Sequence, residues 1–213
     1  MEESKEIPMY RDEKKEYQLE QILNKIEEAD GIVKTSDILA LGIDYRRVQT
    51  FVKEGELRKI RNGSYTSGRK SYPEEDLITA LFPDGVLTLQ SALCAYGYLD
   101  EMPEIWQIAI SKNTSKSRFN ILYPSVEPSY TEDDVLLMGQ EKIKLGHREI
   151  AIYSRDRLIC DVLKYQDKLT TEEFKKAIRG YVNDEKKDVT NLMKYAISRK
   201  VRQKVQNVIS IWL

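Results

Sequence analysis

Apolar residues recur along the first part of the chain with the period of a helix. Leu19, Ile22, Leu23 and Ile26 stand at i, i+3, i+4 and i+7, one apolar stripe on a charged cylinder, and predict a helix over residues 11–29 that Asp30-Gly31 stops. Thr35-Ser36 then offer N-cap hydroxyls to a short helix, Asp37 to Leu41, closed by Gly42. A third helix is predicted from Asp44 to Gly55. Around its axis Tyr45, Val48, Phe51 and Val52 fall on one side, and Arg46, Gln49, Thr50 and Lys53 on the other. Two short β-prone runs follow in LRKIRNGSYTS, on either side of Asn62-Gly63. Both residues of that dipeptide tolerate positive φ, which makes it a hairpin signal.

Helix, short helix, tight glycine turn, helix and hairpin is the order of a winged helix-turn-helix. On this reading the apolar side of the third helix is buried and the polar side is offered to a groove. Arginine suits guanine and glutamine suits adenine, so that side has the chemistry to read bases. Any amphipathic surface helix has a polar side, and the helix by itself would not decide the matter. The hairpin shifts the balance, because its first strand and tip gather Arg58, Lys59, Arg61 and Asn62 where a wing would meet phosphates or the minor groove. The candidate DNA contacts are therefore Thr35, Ser36, Tyr45, Arg46, Arg47, Gln49, Thr50 and Lys53 from the helices, with Arg58, Lys59, Arg61, Asn62 and Ser64 from the hairpin.

Past the hairpin, GRKSYPEED (68–76) has the composition of a linker, giving a DNA-binding domain over 1–69 and a second domain over 70–213. In the second, Leu77–Phe82 reads as helix, broken by Pro83-Asp84-Gly85. Ser91 to Tyr98 reads as helix and Ile105–Ile110 as strand. Between 119 and 152 several runs are β-prone, including Phe119–Tyr123, Asp134–Met138 and Glu149–Tyr153. The pattern is helical thereafter, over about 155–166, 171–182, 188–199 and 201–212. The expected class is α+β: an N-terminal winged helix-turn-helix followed by a mixed α/β domain that ends in helices.

The net charge of −1 conceals segregation. Residues 44–70 hold eight Lys/Arg against three Asp/Glu, residues 71–140 three against eleven, and residues 141–213 seventeen against ten. Two basic surfaces can coexist in a neutral whole, and local field is what attracts phosphate. The second candidate surface is Lys186, Lys187, Lys194, Arg199, Lys200, Arg202 and Lys204, with Asp188 the one acid among them. Such a run is equally well read as a solvated face on terminal helices.

Catalytic chemistry is poorly supplied. His147 is the one histidine and sits in a predicted turn after Gly146, so no Ser-His or Cys-His pair with a spare ligand can be assembled. Cys94 and Cys160 lie in apolar segments without histidine neighbours, which suits buried free thiols better than a metal site or a disulfide. Ser91 lacks the G-x-S-x-G elbow and reads as a helix cap. Pro83-Asp84 could open a metal-dependent nuclease site, but no (Asp/Glu)-x-Lys occurs between Asp84 and Glu173. No enzyme activity, metal or cofactor is expected. The charged first residues, MEESKEIPMYRDEKKEY, and the lack of any apolar run of roughly 20 residues point to a cytoplasmic protein without membrane contact.

The segments together resemble a known family. TSDILALGIDYRRVQTFVKEGELRKIRNGSYTS resembles the winged helix of AbiEi-type antitoxins, LTLQSALCAYGYLDEMP their "lslqSALxxhGLxdexP" segment, SRDRLICDVLKYQDKL their "erTlxDxlxxrdkl" helix, and DVTNLMKYAISRKVRQKVQNVI their closing helical pair. The matches run in order over about residues 20–210. Ala95-Tyr96 and Tyr98 depart from the second motif, and Arg157-Leu158 from the third. The resemblance implies an antitoxin that represses its own operon through repeats in the promoter, in a two-gene abortive-infection system whose toxin is a nucleotidyltransferase. The helix at 44–54 would then be the recognition helix and Arg58 to Ser64 the wing. A rival of another class is a protein-interaction module whose acidic middle and helical tail clamp the toxin directly, with a structural winged helix. No heptad seam is present, and a free homodimer and monomers loading cooperatively on DNA both stay open.

Overall fold

The computed structural model describes residues 11–102 and 104–209. The chain divides into two compact units, the first ending at Leu81 and the second beginning at Phe82. Helices and strands are mixed in both, in the α+β manner.

In the first unit, helix α1 (Arg11–Glu28) is followed by strand β1 (Val33–Lys34), helices α2 (Thr35–Ala40) and α3 (Tyr45–Lys53), strands β2 (Leu57–Arg61) and β3 (Ser64–Ser67), and helix α4 (Glu74–Leu81). The strands form an antiparallel sheet in the order β1-β3-β2. The α1 stripe closes on Ile38 of α2, Val48 and Phe51 of α3, Leu57 of β2 and Tyr65 of β3 in one core. Ile22, Ile26, Ile38, Val48 and Phe51 are fully buried, each contributing about 1.5–3 kcal/mol of transfer free energy.

The local signals explain the boundaries. The Asp44 side chain accepts from the Arg47 N–H at 2.9 Å and starts α3. The helix ends where Gly55, at φ +78°, lets the Gly55 and Glu56 N–H groups turn back onto the carbonyls of Val52 and Phe51. The start of α2 corrects the sequence reading. Thr35 and Ser36 form its first turn instead of capping it, because the Thr35 N–H is bound to the Gly63 carbonyl at 2.9 Å and the Asp37 carboxylate accepts from the Lys34 N–H at 3.3 Å. The hairpin at Asn62-Gly63 is present. Of its two turn residues Gly63 takes positive φ (+76°), and the register shifts between Lys59 and Arg61, a bulge that twists the ribbon.

Gly31 closes α1 at φ +109°, and a Cβ there would lie 2.7 Å from the Tyr72 ring. That ring is held in place by its hydroxyl, which donates to Glu27 at 3.1 Å. Backbone strain and the clash act together, so Gly31→Ala should cost about 1–3 kcal/mol, read as a lowered urea midpoint at unchanged m-value.

The second unit is built on a mixed sheet of strands β4 (Val86–Leu87), β5 (Trp106–Ser111), β6 (Val126–Thr131), β7 (Gln140–Leu145) and β8 (Arg148–Tyr153), in the order β6-β5-β4-β8-β7. The β4–β8 and β5–β6 pairs are parallel, and β4–β5 and β7–β8 antiparallel. Helices α5 (Leu89–Ala95) and α6 (Asp133–Leu137) lie between strands. The chain continues as α7 (Arg155–Lys164), α8 (Thr171–Asn183), α9 (Val189–Ser198) and α10 (Arg202–Val208). The last predicted helix ran to 212, and residues 210–212 lie outside the described residues. Helix α7 is buried from Asp156 to Leu163 and packs against α5, α8, α9 and α10.

Two predicted strands are not strands. Residues 116–119 form a 3₁₀ turn, and the apolar character of Phe119 serves packing: its ring stacks on Phe82 at 5.0 Å. Residues 133–137 make the short helix α6, whose five residues are too few to show a period. Ser91 does not cap α5. It lies inside the helix, fully buried, and its hydroxyl accepts the Gln107 N–H at 2.8 Å.

Candidate nucleic-acid interface

The polar side of α3 faces outward. Arg46 and Lys53 are exposed, and Gln49, Thr50 and Arg47 are half-buried. Tyr45 corrects its assignment to the apolar side: it is 50% exposed, because the first residue of α3 projects past the end of the core. Thr50 spends its hydroxyl proton on the Arg46 carbonyl at 3.0 Å, leaving its two lone pairs and a methyl group for a ligand. The acids nearby are occupied elsewhere. Glu54 pairs with Lys15 at 2.6 Å and Glu56 with Arg69. Arg46, Arg47, Lys53, Arg58 and Lys59 make no ion pair among the described residues.

The hairpin adds its own row. Arg58 and Asn62 are exposed and Lys59 and Arg61 half-buried. Ser64 is a correction, since it is 3% exposed; its hydroxyl lies 3.4 Å from Nε of Arg61, which donates to it, so it braces the arginine instead of meeting a ligand. The link between Thr35 and Gly63 ties the tip of the hairpin to the start of α2, where Ser36 is exposed and Thr35 half-buried. Lys34, exposed and paired in register with Ser64, stands in the same row and escaped the sequence reading. Its signal was weak, a lone lysine before a helix.

Beneath this surface lies Tyr65, also unanticipated. Its ring is fully buried in the core. Its hydroxyl ends beside Tyr45, Gln49 and Thr35, near enough to feel them but within hydrogen-bonding geometry of none. Burial first, and then Tyr45, push its proton affinity up, against a smaller pull down from Thr35 and Gln49.

The second basic surface is only in part a surface. Arg199 is 8% exposed and corrects the expectation. Its Nε donates to Asp161 at 2.6 Å and its terminal nitrogen to the Tyr165 hydroxyl at 3.3 Å. Asp161 also receives Arg157 at 3.1 Å, so one buried carboxylate joins two guanidiniums. Lys204 donates to the Leu163 carbonyl at 2.6 Å and Lys187 to that of Asp184 at 3.3 Å. Lys186, Lys194, Lys200 and Arg202 remain exposed.

His147 is exposed in the turn after Gly146. Cys94 and Cys160 are both free, and burial pushes their thiols up to about 11 and about 12, respectively; neither is a ready thiolate. Among the described residues no group of His, Cys, Asp and Glu is arranged to hold a metal ion, and no helix is long and apolar enough to cross a membrane. No protein-family model matches the chain, and no curated protein matches it in sequence.

Proposed function

We propose that this protein is a sequence-specific DNA-binding repressor whose first unit is a winged helix-turn-helix, and that it is the antitoxin of an AbiEi-type pair. The observation that carries the DNA reading is the uncovered α3 row beside a cationic hairpin, with five cations free of ion pairs among the described residues. Helices α1, α2 and α3 followed by β2 and β3 are the elements in the order such a domain requires. The antitoxin part rests on the ordered resemblance along the chain. Its operator would be repeats in its own promoter and its partner a nucleotidyltransferase toxin.

Phosphate contacts should dominate affinity. Binding of a promoter duplex is expected to fall with salt by about 0.9 log units per log unit of salt for each phosphate neutralised, a slope of about −4.5 if the five free cations act together. Fluorescence anisotropy over a salt series measures it. Equal affinity for promoter and random duplex at every salt concentration would remove the repressor reading.

A second reading is the interaction module, for which Leu122 (75% exposed) and Leu137 (69% exposed) are the apolar side chains a partner would cover. Co-purification of a stoichiometric complex with the toxin by a protein that binds no DNA would select it.

A further inference from the structure

Among the described residues, three buried side-chain oxygens of the first unit, on Gln18, Tyr65 and Thr66, lack a hydrogen-bond partner, and Tyr65 is the one whose hydroxyl ends beside outward-facing side chains of α2 and α3. A buried tyrosine ordinarily brings its hydroxyl to a partner, because a buried polar group without a hydrogen bond is costly. Here the ring fills the core while the hydroxyl has no partner in bonding geometry. Its neighbours are Tyr45 and Gln49 of α3 and Thr35 of α2, three side chains at the outward face. Phenylalanine would fill the same core volume without the penalty.

The chemistry of Gln49 gives the hydroxyl a use. A glutamine reads adenine by donating from its NH₂ to N7 and accepting from N6 at its oxygen, which requires the two ends of the amide to be the right way round. A free amide turns over at little cost. A phenol oxygen that accepts one of the two Nε2 protons leaves the other, with Oε1, for the base. Thr35 can also donate to the phenol oxygen and Tyr45 can accept its proton, completing its set of partners.

We infer that Tyr65 is a positioning residue for base reading, whose hydroxyl orients the Gln49 amide when duplex presses Gln49 and Tyr45 inward. The inference rests on the DNA-binding reading above and adds to it a residue that no duplex atom touches. The unmet hydrogen bond of the free protein is made in the complex, so its contribution belongs to specific binding and not to folding.

The test is selection from a randomised duplex library by the full-length protein, its Tyr65→Phe and Gln49→Ala variants and the double variant, with base preferences read by sequencing and thermal unfolding measured in parallel. The expected result is an adenine preference that Gln49→Ala abolishes and Tyr65→Phe reduces about tenfold (~1.4 kcal/mol). Preferences elsewhere and the salt slope should be unchanged, the unfolding midpoint equal or higher, and the double variant no worse than Gln49→Ala. Three outcomes overturn the inference while leaving the repressor reading intact: an adenine preference that survives Tyr65→Phe, one that survives Gln49→Ala, or a Tyr65→Phe protein that melts earlier and weakens on all sequences alike. A wild-type protein that selects no sequence removes the repressor reading itself, and this inference with it.

Discussion

Asp161→Asn is expected to destabilise the helical end of the second unit severely. The carboxylate is buried between Arg157 and Arg199, with one oxygen for each, at side-chain exposures of 3%, 1% and 9%. An amide keeps one acceptor and turns its NH₂ toward the other guanidinium, leaving two buried cations and no anion. Breaking a buried pair by removing one partner costs about 3–5 kcal/mol, a large part of the roughly 5–15 kcal/mol that holds a typical domain folded. Arg157 also donates to the carbonyls of Val135 and Met138 at 3.1 and 2.9 Å, so its displacement frees the segment that includes α6. Urea denaturation followed by circular dichroism should show a lower midpoint for the second unit, with the α1–α3 core unaffected. An unchanged midpoint would mean that solvent reaches this triad.

Reversing Arg46 and Lys53 together, as Arg46→Glu with Lys53→Glu, should have the opposite profile. Both are exposed and unpaired, so the fold should be retained. Each lost base or phosphate contact is worth about 1–3 kcal/mol, and the introduced acids repel the duplex. Promoter affinity should therefore fall by about a thousandfold or more at moderate salt, with the unfolding midpoint within experimental error of the wild type. Anisotropy titration checks the first and thermal denaturation the second. Retained affinity would place the duplex elsewhere on the molecule. The same pair of measurements on Lys194, Lys200 and Arg202 tests the C-terminal cations, where Arg199 must be left untouched because it serves the core.

The first unit was legible because its signals are local. A four-residue apolar stripe, a capping aspartate at 44, glycines at 31, 42, 55 and 63, and an Asn-Gly turn each act within one element, and the observed boundaries agree with them to within about two residues. The polar side of α3 followed from its period. What the period misplaced was Tyr45, since a helical projection does not say where the core ends along the axis. Ser64 and Tyr65 were opaque for another reason. β3 is the central strand of its sheet and is buried on both faces, so its polar residues give no sign of their depth.

The second unit was harder to read because its decisive contacts are distant. Asp161 and Arg199 are 38 positions apart, and nothing near Arg199 distinguishes it from Lys200 or Arg202. Strands β4, β6 and β7 went unnamed, and Phe119–Tyr123 drew the assignment that belongs to Val126–Thr131, because aromatic and branched residues signal burial as readily as pairing.

The backbone bond from Thr35 to Gly63, with the pairing of Lys34 and Ser64, joins the base of the two helices to the end of the ribbon through main chain alone. A molecule gripped between them would meet a caliper whose jaws are already set. Little ordering entropy is then left for the moment of capture. Association should accordingly be fast, show a modest heat-capacity change, and tolerate side-chain exchange along either jaw without altering the span.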